Sequence, residues 1–181
     1  MKMKIINKDN VKLNKRIYKS LLRKFYSIKS KLEKITQKQI NVVPTLIFSR
    51  TQLLNKLNNK IQHEPEMMVE GSDIYINYLK ISNRNNFLNL INHEFVHVLT
   101  NQVNSNIDLW LGEGLACYYS NKKMFKHEKE IEPFERLKHS FDFSLKHYYS
   151  AYKYVEFLMI SDKSIVNQLL NGTIDIEIQE I

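Results

Sequence analysis

The sequence predicts an α+β fold in which short strands precede several helices. Only three prolines and four glycines occur in 181 residues, and so few breakers favour long helices. Two short runs depart from the helical pattern. Residues 42–48 are apolar and partly β-branched, and residues 73–79 alternate between apolar and polar faces. Because the strands come first and the helices later, we expect an α+β arrangement.

The N-terminal segment, residues 1–40, is predicted to be a basic amphipathic helix. Apolar side chains recur at three- and four-residue spacing over residues 10–39, with Lys and Arg between them. The segment holds 13 of the 27 Lys and Arg residues but only two acids, whereas residues 41–181 are mildly acidic. We expect it to pack on the 41–181 domain or to regulate it by covering the cleft. Contact with nucleic acid or an anionic membrane is a less favoured alternative.

The middle of the chain holds the predicted strands. The run at 42–48 predicts a strand, after which Ser49 can cap a helix over residues 50–62. Residues 63–72 are predicted to form a loop. A half-buried strand is predicted at 73–79, because its side chains point alternately to two faces. The alternating side chains belong to Ile74, Tyr75, Ile76 and Asn77.

The rest of the chain is predicted to be mostly helical. A helix at 85–100 is followed by a polar loop at 101–107. Asp108 has the side chain of an N-cap residue, which predicts a helix from there to Ser120. A charged stretch is predicted to combine helix and loop, and two further helices follow it; these are residues 121–146, 148–160 and 163–170.

One five-residue stretch of the helix at 85–100 carries the chemistry. His93, Glu94 and His97 fit the pattern His-Glu-x-x-His. Residues four apart lie on one face of a helix, so both imidazoles can hold the same metal ion. Glu94 lies beside them and can reach a water bound to that ion, whose pKa zinc lowers to roughly 7. The stretch therefore predicts a zinc site with its own general base.

A third metal ligand is predicted further along the chain. Catalytic zinc sites normally have three protein ligands and one open position. Glu113 lies 16 residues after His97, in the apolar segment Trp-Leu-Gly-Glu-Gly-Leu-Ala. Each flanking glycine, Gly112 and Gly114, costs about 1 kcal/mol in a helix interior. We expect the glycines to allow this helix to approach the helix at 85–100, which carries His93 and His97, closely.

These two motifs together resemble the gluzincin metallopeptidases, in which a glutamate is the third zinc ligand. The single-domain minigluzincins and peptidase MA-like domains are most similar in size and layout, and the resemblance covers about residues 42–172. It implies a zincin-like fold, with a small mixed sheet, an edge strand over the cleft, an active-site helix and C-terminal helices. It also implies one zinc ion per chain, held by His93, His97 and Glu113, and an extended peptide or protein substrate.

The resemblance further implies roles for individual residues. The strand at 73–79 would line the cleft, and Glu94 would activate the zinc-bound water. A tyrosine in the segment 148–158 would donate a hydrogen bond to the oxyanion. Tyr148 is the first candidate. Other candidate contacts to the oxyanion or substrate are His147, Tyr149 and Tyr152. On residue pattern alone, His147 is expected at the protein surface. No segment for gripping a free amino terminus is visible, which favours an endopeptidase.

The cysteine count and the lack of long apolar runs indicate the cellular compartment. The single cysteine, Cys117, excludes an internal disulfide and is expected to be a buried, inert thiol. We find neither a secretory signal nor an apolar run long enough to span a bilayer, so we expect a cytoplasmic protein.

Two alternative functions stay open besides a general endopeptidase. One is an inactive or latent zinc-binding interaction module, and the other is a regulatory peptidase that cleaves one repressor-like protein.

Overall fold

The structure is a computed structural model that describes residues 3–11, 13–50, 65–81, 83–120, 125 and 128–178. These residues form a small four-stranded sheet and several helices, which confirms the predicted mixed α+β class. None of the helices in these ranges is long and apolar enough to cross a membrane. The predicted helix at 50–62 lies almost entirely outside the described residues, as do His63 and His127.

The sheet is mixed, with three parallel strands and one antiparallel edge. Its strands are β1 (Lys4–Asn7), β2 (Thr45–Phe48), β3 (Met67–Glu70) and β4 (Asp73–Ile76), arranged in the order β1-β2-β4-β3. β1 and β4 both pair in parallel with β2, whereas β3 pairs antiparallel with β4. A two-residue connection joins β3 to β4 and begins at Gly71, whose φ of 59° is the left-handed conformation that such hairpins require.

The sheet corrects two predictions. Residues 63–72 do not form only a loop, because residues 67–70 are the strand β3. The predicted cleft-edge strand at 73–79 is shorter and lies inside the sheet as β4, between β2 and β3. The buried side chains of this segment are those of Ile74, Tyr75, Ile76 and, just after the strand, Asn77. The alternation of apolar and polar residues correctly predicted a strand here. Such a pattern does not show which strands lie on either side of that strand.

The first helix, α1 (Lys15–Thr36), is shorter than predicted because its ends are capped. The Asn14 side chain accepts hydrogen bonds from the backbone N–H groups of Arg16 and Ile17, so the helix begins there. Gln37 adopts the left-handed conformation that ends many helices.

Most of the remaining helices agree closely with the predicted ones. The exceptions are a 3₁₀-helix at the end of the predicted strand 73–79 and a short helix in the stretch 121–146, for which no helix bounds were predicted. A short 3₁₀-helix (Tyr78–Lys80) follows β4. The helices after it are α2 (Arg84–Val103), α3 (Leu109–Ser120), α4 (Phe134–His139), α5 (Leu145–Ser161) and α6 (Lys163–Leu170).

The core lies between α1, α2 and the sheet, and it fixes the position of α2. The apolar face of α1 is buried against α2, where the rings of Phe25 and Phe95 meet edge to face with centroids 5.2 Å apart. Phe95 lies between Glu94 and His97 in sequence but faces away from them into this core. Residues of the 1–40 segment thus share one apolar cluster with residues 41–181. The basic face of α1 remains exposed to solvent.

Candidate metal centre

Three side chains from two helices converge on one point. His93 Nε2 lies 3.1 Å from His97 Nε2, and both nitrogens approach Oε2 of Glu113, at 2.9 Å and 3.4 Å respectively. The two histidines come from successive turns of α2, and Glu113 comes from the second turn of α3. The predicted ligand set is therefore brought together, at distances that allow all three residues to bind the same metal ion.

The donor atoms fit a tetrahedral metal site. Ligands about 2.0–2.1 Å from a central ion lie about 3.3–3.4 Å from one another in a tetrahedron. The three distances of 2.9, 3.1 and 3.4 Å are close to this spacing. Two imidazoles and one carboxylate would leave the fourth position of such a tetrahedron open.

α3 is fixed in position by its own burial. Trp110 and Leu111 are almost completely buried, and the Trp110 ring packs edge to face on Phe134 with centroids 4.9 Å apart. Glu113 follows these anchors and is itself buried. Burial disfavours its ionised form, but hydrogen bonds from His93 and His97 outweigh this effect and lower the pKa of Glu113 to about 2. Glu113 is therefore a carboxylate throughout the neutral range, as a metal ligand must be.

The glycines beside Glu113 do not have the predicted function. A Cβ on Gly112 would contact Ile107 and the His97 ring at 3.7–4.0 Å, which is ordinary van der Waals distance. A Cβ on Gly114 would instead lie 2.5 Å from the backbone oxygen of Ala151. The close approach is thus between α3 and α5, not between α3 and α2. Sequence spacing could not show this, because it does not reveal which helix packs against each face.

Glu94 lies beside the three ligands and lines the same cavity. Burial raises the pKa of the Glu94 carboxyl, and positive charge on the neighbouring histidines only partly offsets this. For His97, burial favours the neutral ring, but the hydrogen bond and charge of Glu113 outweigh it and raise the pKa of His97. A carboxyl group in this position can accept a proton from a neighbouring molecule and release it again.

The cavity above the metal ligands has a volume of about 810 Å³ and a largely apolar wall. β3, at the edge of the described sheet, supplies Met67, Met68 and Val69, and Ile107, Leu109 and Phe143 lie elsewhere on the wall. Within the described part of the chain, no residue of the 1–40 segment lines it. The structure therefore gives no support to the expectation that this segment covers the cleft.

Of the candidate oxyanion residues, only Tyr148 lines the cavity. Its ring centroid lies 6.3 Å from that of His93. Burial raises the pKa of the Tyr148 hydroxyl, and the carboxylate of Glu113 adds to this effect, so the hydroxyl stays protonated and can donate. Tyr152 lies instead in a buried cluster with Cys117 and Phe125, and the partly buried Tyr149 packs against this cluster.

His147 and Cys117 also lie away from the cavity wall. The expectation of a surface position for His147 is wrong, since the residue is only 3% exposed and its Nδ1 lies 2.9 Å from the backbone nitrogen of Asp142. Cys117 is buried as expected, and burial raises the pKa of its thiol. A protonated, buried thiol is poorly reactive.

The sequence interpretation missed the apolar wall of the cavity. Met67 and Met68 fell in the predicted loop at 63–72, and Phe143 fell in the mixed stretch at 121–146. One signal was available for Phe143, because Phe141 and Phe143 are the only apolar residues in a polar stretch just before the helix cap Ser144.

Comparison with known proteins does not extend these observations. No family model matches the sequence, and no curated protein or solved structure matches the chain.

Proposed function

We propose that the protein is a zinc-dependent peptidase that cleaves extended peptides as an endopeptidase. The observation that carries the proposal is the convergence of His93, His97 and Glu113 at one wall of an open cavity. Glu94 and Tyr148 line the same cavity, so a base and a hydrogen-bond donor accompany the ligands. A purely structural metal site has no need of an open cavity, a spare carboxyl group or a hydroxyl donor beside it.

Zinc is the metal that best suits this set of donors. Two imidazole nitrogens and a carboxylate oxygen in tetrahedral array form one of the common ligand sets of catalytic zinc. Harder ions such as Mg²⁺ and Ca²⁺ prefer oxygen ligands in larger number. When bound, zinc would supply Lewis-acid polarisation of a substrate carbonyl and lower the pKa of a water molecule.

The protein's own groups would handle protons and developing charge. Glu94 would accept a proton from the attacking water and deliver it to the amine of the leaving peptide fragment. The raised pKa of Glu94 favours the first transfer, because a stronger base accepts a proton from water more readily. Tyr148, which stays protonated, would donate a hydrogen bond to the oxygen that gains negative charge.

Endopeptidase action is supported by the shape of the cleft. β3 lies at the edge of the described sheet and lines the cavity through Met67, Met68 and Val69. A strand at a sheet edge can pair with an extended peptide through main-chain hydrogen bonds, which do not depend on substrate sequence. Such pairing would hold the peptide along its length rather than by one end.

Cleavage of a mixed peptide library by purified, zinc-loaded protein tests the proposal. The matched pair of variants is Glu94→Gln, which keeps the size of the side chain but removes the base, and Glu135→Gln, which changes an exposed glutamate on α4. We expect chelation to abolish cleavage and Glu94→Gln to lower kcat by about 10²–10⁴-fold with zinc retained. Glu135→Gln should cleave like the wild type.

Other outcomes would contradict specific parts of the proposal. If one zinc binds per chain but no peptide is cut, the peptidase proposal is wrong and a zinc-binding interaction module replaces it. If cleavage persists in the Glu94→Gln variant, Glu94 is not the base. If cuts fall only at peptide ends, the enzyme is an exopeptidase.

A further inference from the structure

Phe143 is an exposed aromatic residue in the wall of the metal cavity. It is 56% exposed, although aromatic side chains of this size are usually buried. It lines the cavity together with Leu109 and with Tyr148, the proposed oxyanion donor. The exposed ring is therefore positioned to contact whatever enters the cavity.

The backbone of Phe143 is strained. Its φ is 59°, in the left-handed region where the Cβ of an L-residue crowds the following carbonyl oxygen. Glycine and asparagine occupy this region readily, whereas a bulky aromatic residue there is a true outlier. Such strain persists where the surrounding structure imposes it, and it concentrates at ligand-binding sites.

The two neighbours of Phe143 impose this conformation. Asp142 donates its backbone N–H to His147 Nδ1 at 2.9 Å and accepts the backbone N–H of Ser144 on its carboxylate at 2.8 Å. Ser144 in turn caps α5 by accepting the backbone N–H of His147 at 3.2 Å. Both ends of the turn are thus tied to the first turn of α5, and Phe143 cannot relax without breaking one of these bonds. This anchoring also accounts for the buried position of His147.

The ring of Phe143 is held beside the catalytic groups. It meets Phe141 edge to face with centroids 5.4 Å apart, and its centroid lies 6.4 Å from that of Tyr148. Phe141 also contacts Tyr148 edge to face at 5.5 Å. The three rings form one connected group, so the position of Phe143 is set relative to the metal ligands before any peptide arrives.

We infer that Phe143 is a specificity-determining residue that binds an aromatic or large aliphatic side chain of the peptide in the cavity. The inference rests on the proposed function, because it assumes that a peptide occupies the cavity. The apolar wall supports this class of side chain, since Met68, Ile107 and Leu109 line the cavity with Phe143. Aromatic and apolar groups that meet an exposed ring gain both area burial and ring contact.

Equilibrium binding tests the inference separately from catalysis. The probes are two blocked hexapeptides, one all alanine and one with a single phenylalanine, titrated calorimetrically into the full, zinc-loaded chain carrying Glu94→Gln. The phenylalanine position is first chosen by scanning all six. The variants compared in this background are Phe143→Gly, which removes the ring, Phe143→Tyr, which keeps it, and Leu145→Ala. Leu145 is a matched control, because it is 49% exposed two residues away but does not line the cavity.

We expect the phenylalanine peptide to bind at least about tenfold more tightly than the alanine peptide. The preference should fall to less than about threefold in Phe143→Gly and persist in Phe143→Tyr and Leu145→Ala. An unchanged preference in a folded Phe143→Gly variant overturns the inference, and so does equal binding of both peptides by the parent protein. Failure of the proposed function looks different. In that case the phenylalanine peptide binds through Phe143, but the protein with Glu94 intact does not cleave it.

Discussion

Replacing Gly114 by alanine places a methyl group where the main chain of α5 already lies. The new Cβ would be 2.5 Å from the backbone oxygen of Ala151, 2.7 Å from a Val155 methyl group and 2.9 Å from the Ala151 carbonyl carbon. Two of these three atoms belong to the backbone, so rotation of a side chain cannot relieve the contact. The helices α3 and α5 must separate instead.

The loss of unfolding free energy in Gly114→Ala follows from these distances. Carbon–oxygen contacts shorter than 3.0 Å are essentially never seen for a Cβ, so the helices must separate by about 0.5 Å or more. Overpacking of a rigid interior costs typically about 1–3 kcal/mol, and a clash with backbone lies at the upper end of that range. Alanine regains about 1 kcal/mol of helix propensity relative to glycine. The net loss of unfolding free energy is therefore about 2 kcal/mol.

Thermal unfolding followed by circular dichroism measures this loss. A decrease of about 2 kcal/mol corresponds to a fall in Tm of about 4–8 °C for a chain of this size. Gly112→Ala is the control, because its new Cβ would meet nothing closer than 3.7 Å. That variant should gain up to about 1 kcal/mol from helix propensity and unfold about 2–4 °C higher.

Alanine substitution of the two glycines is thus expected to change the unfolding free energy in opposite directions, although both glycines flank Glu113. If Gly114→Ala unfolds at or above the wild-type temperature, the close approach of α3 and α5 does not exist as described. If Gly112→Ala is destabilised as much as Gly114→Ala, the cause is a general intolerance of this helix. Metal titration adds a second readout, because the separation of α3 from α5 shifts Glu113 and should weaken metal binding in Gly114→Ala alone.

Three further predictions concern the site and its support. Tyr148→Phe should lower kcat by about 10²–10³-fold in peptide cleavage with KM little changed, while Tyr149→Phe leaves both unchanged; a larger effect on KM would make the hydroxyl a binding group. Glu113→Gln should weaken zinc binding by more than about 100-fold in competition with a chromophoric chelator, and equal affinity would remove Glu113 from the ligand set. The ammonium of Lys146, 2.8 Å from Glu132, lowers the pKa of that carboxyl, so their contact stabilises the fold above the usual glutamate pKa and is lost as the pH falls through the lowered value. Lys146→Met should therefore lose less stability than the wild type between pH 7 and pH 3.5 in urea unfolding, and parallel losses would refute the pairing.

The residues of the candidate metal site were predictable from sequence because helix geometry is local. Once residues 93–97 are helical, the four-residue spacing of the two histidines places both rings on one face. The apolar setting of Glu113 identified the third residue of the candidate site, although the helix against which its own helix packs could not be inferred. The bounds predicted for α2, α3, α5 and α6 agree with the structure to within about three residues, and the caps at Asn14 and Gln37 explain why α1 is shorter than predicted.

The sheet was less predictable because strand pairing is not local. β1 is only four residues long and lies within a lysine-rich stretch, so no sequence pattern predicted it. β3 has only four residues, and one of them is a glutamate, a residue type that is depleted in strands. Both strands form because backbone groups beside β2 and β4 are available for pairing, a condition that exists only after the chain folds.

The sequence by itself determined the mixed α+β class of the fold, the three residues of the candidate metal site and the carboxyl group beside them. These depend on residue type and on spacing within single helices, which are properties of a few neighbouring residues. Tertiary structure alone decided which strand borders the cavity, which helix Gly114 meets, which tyrosine lines the cavity and why Phe143 is exposed. Each of these depends on contacts between segments far apart in the chain, where packing and backbone hydrogen bonding set the arrangement.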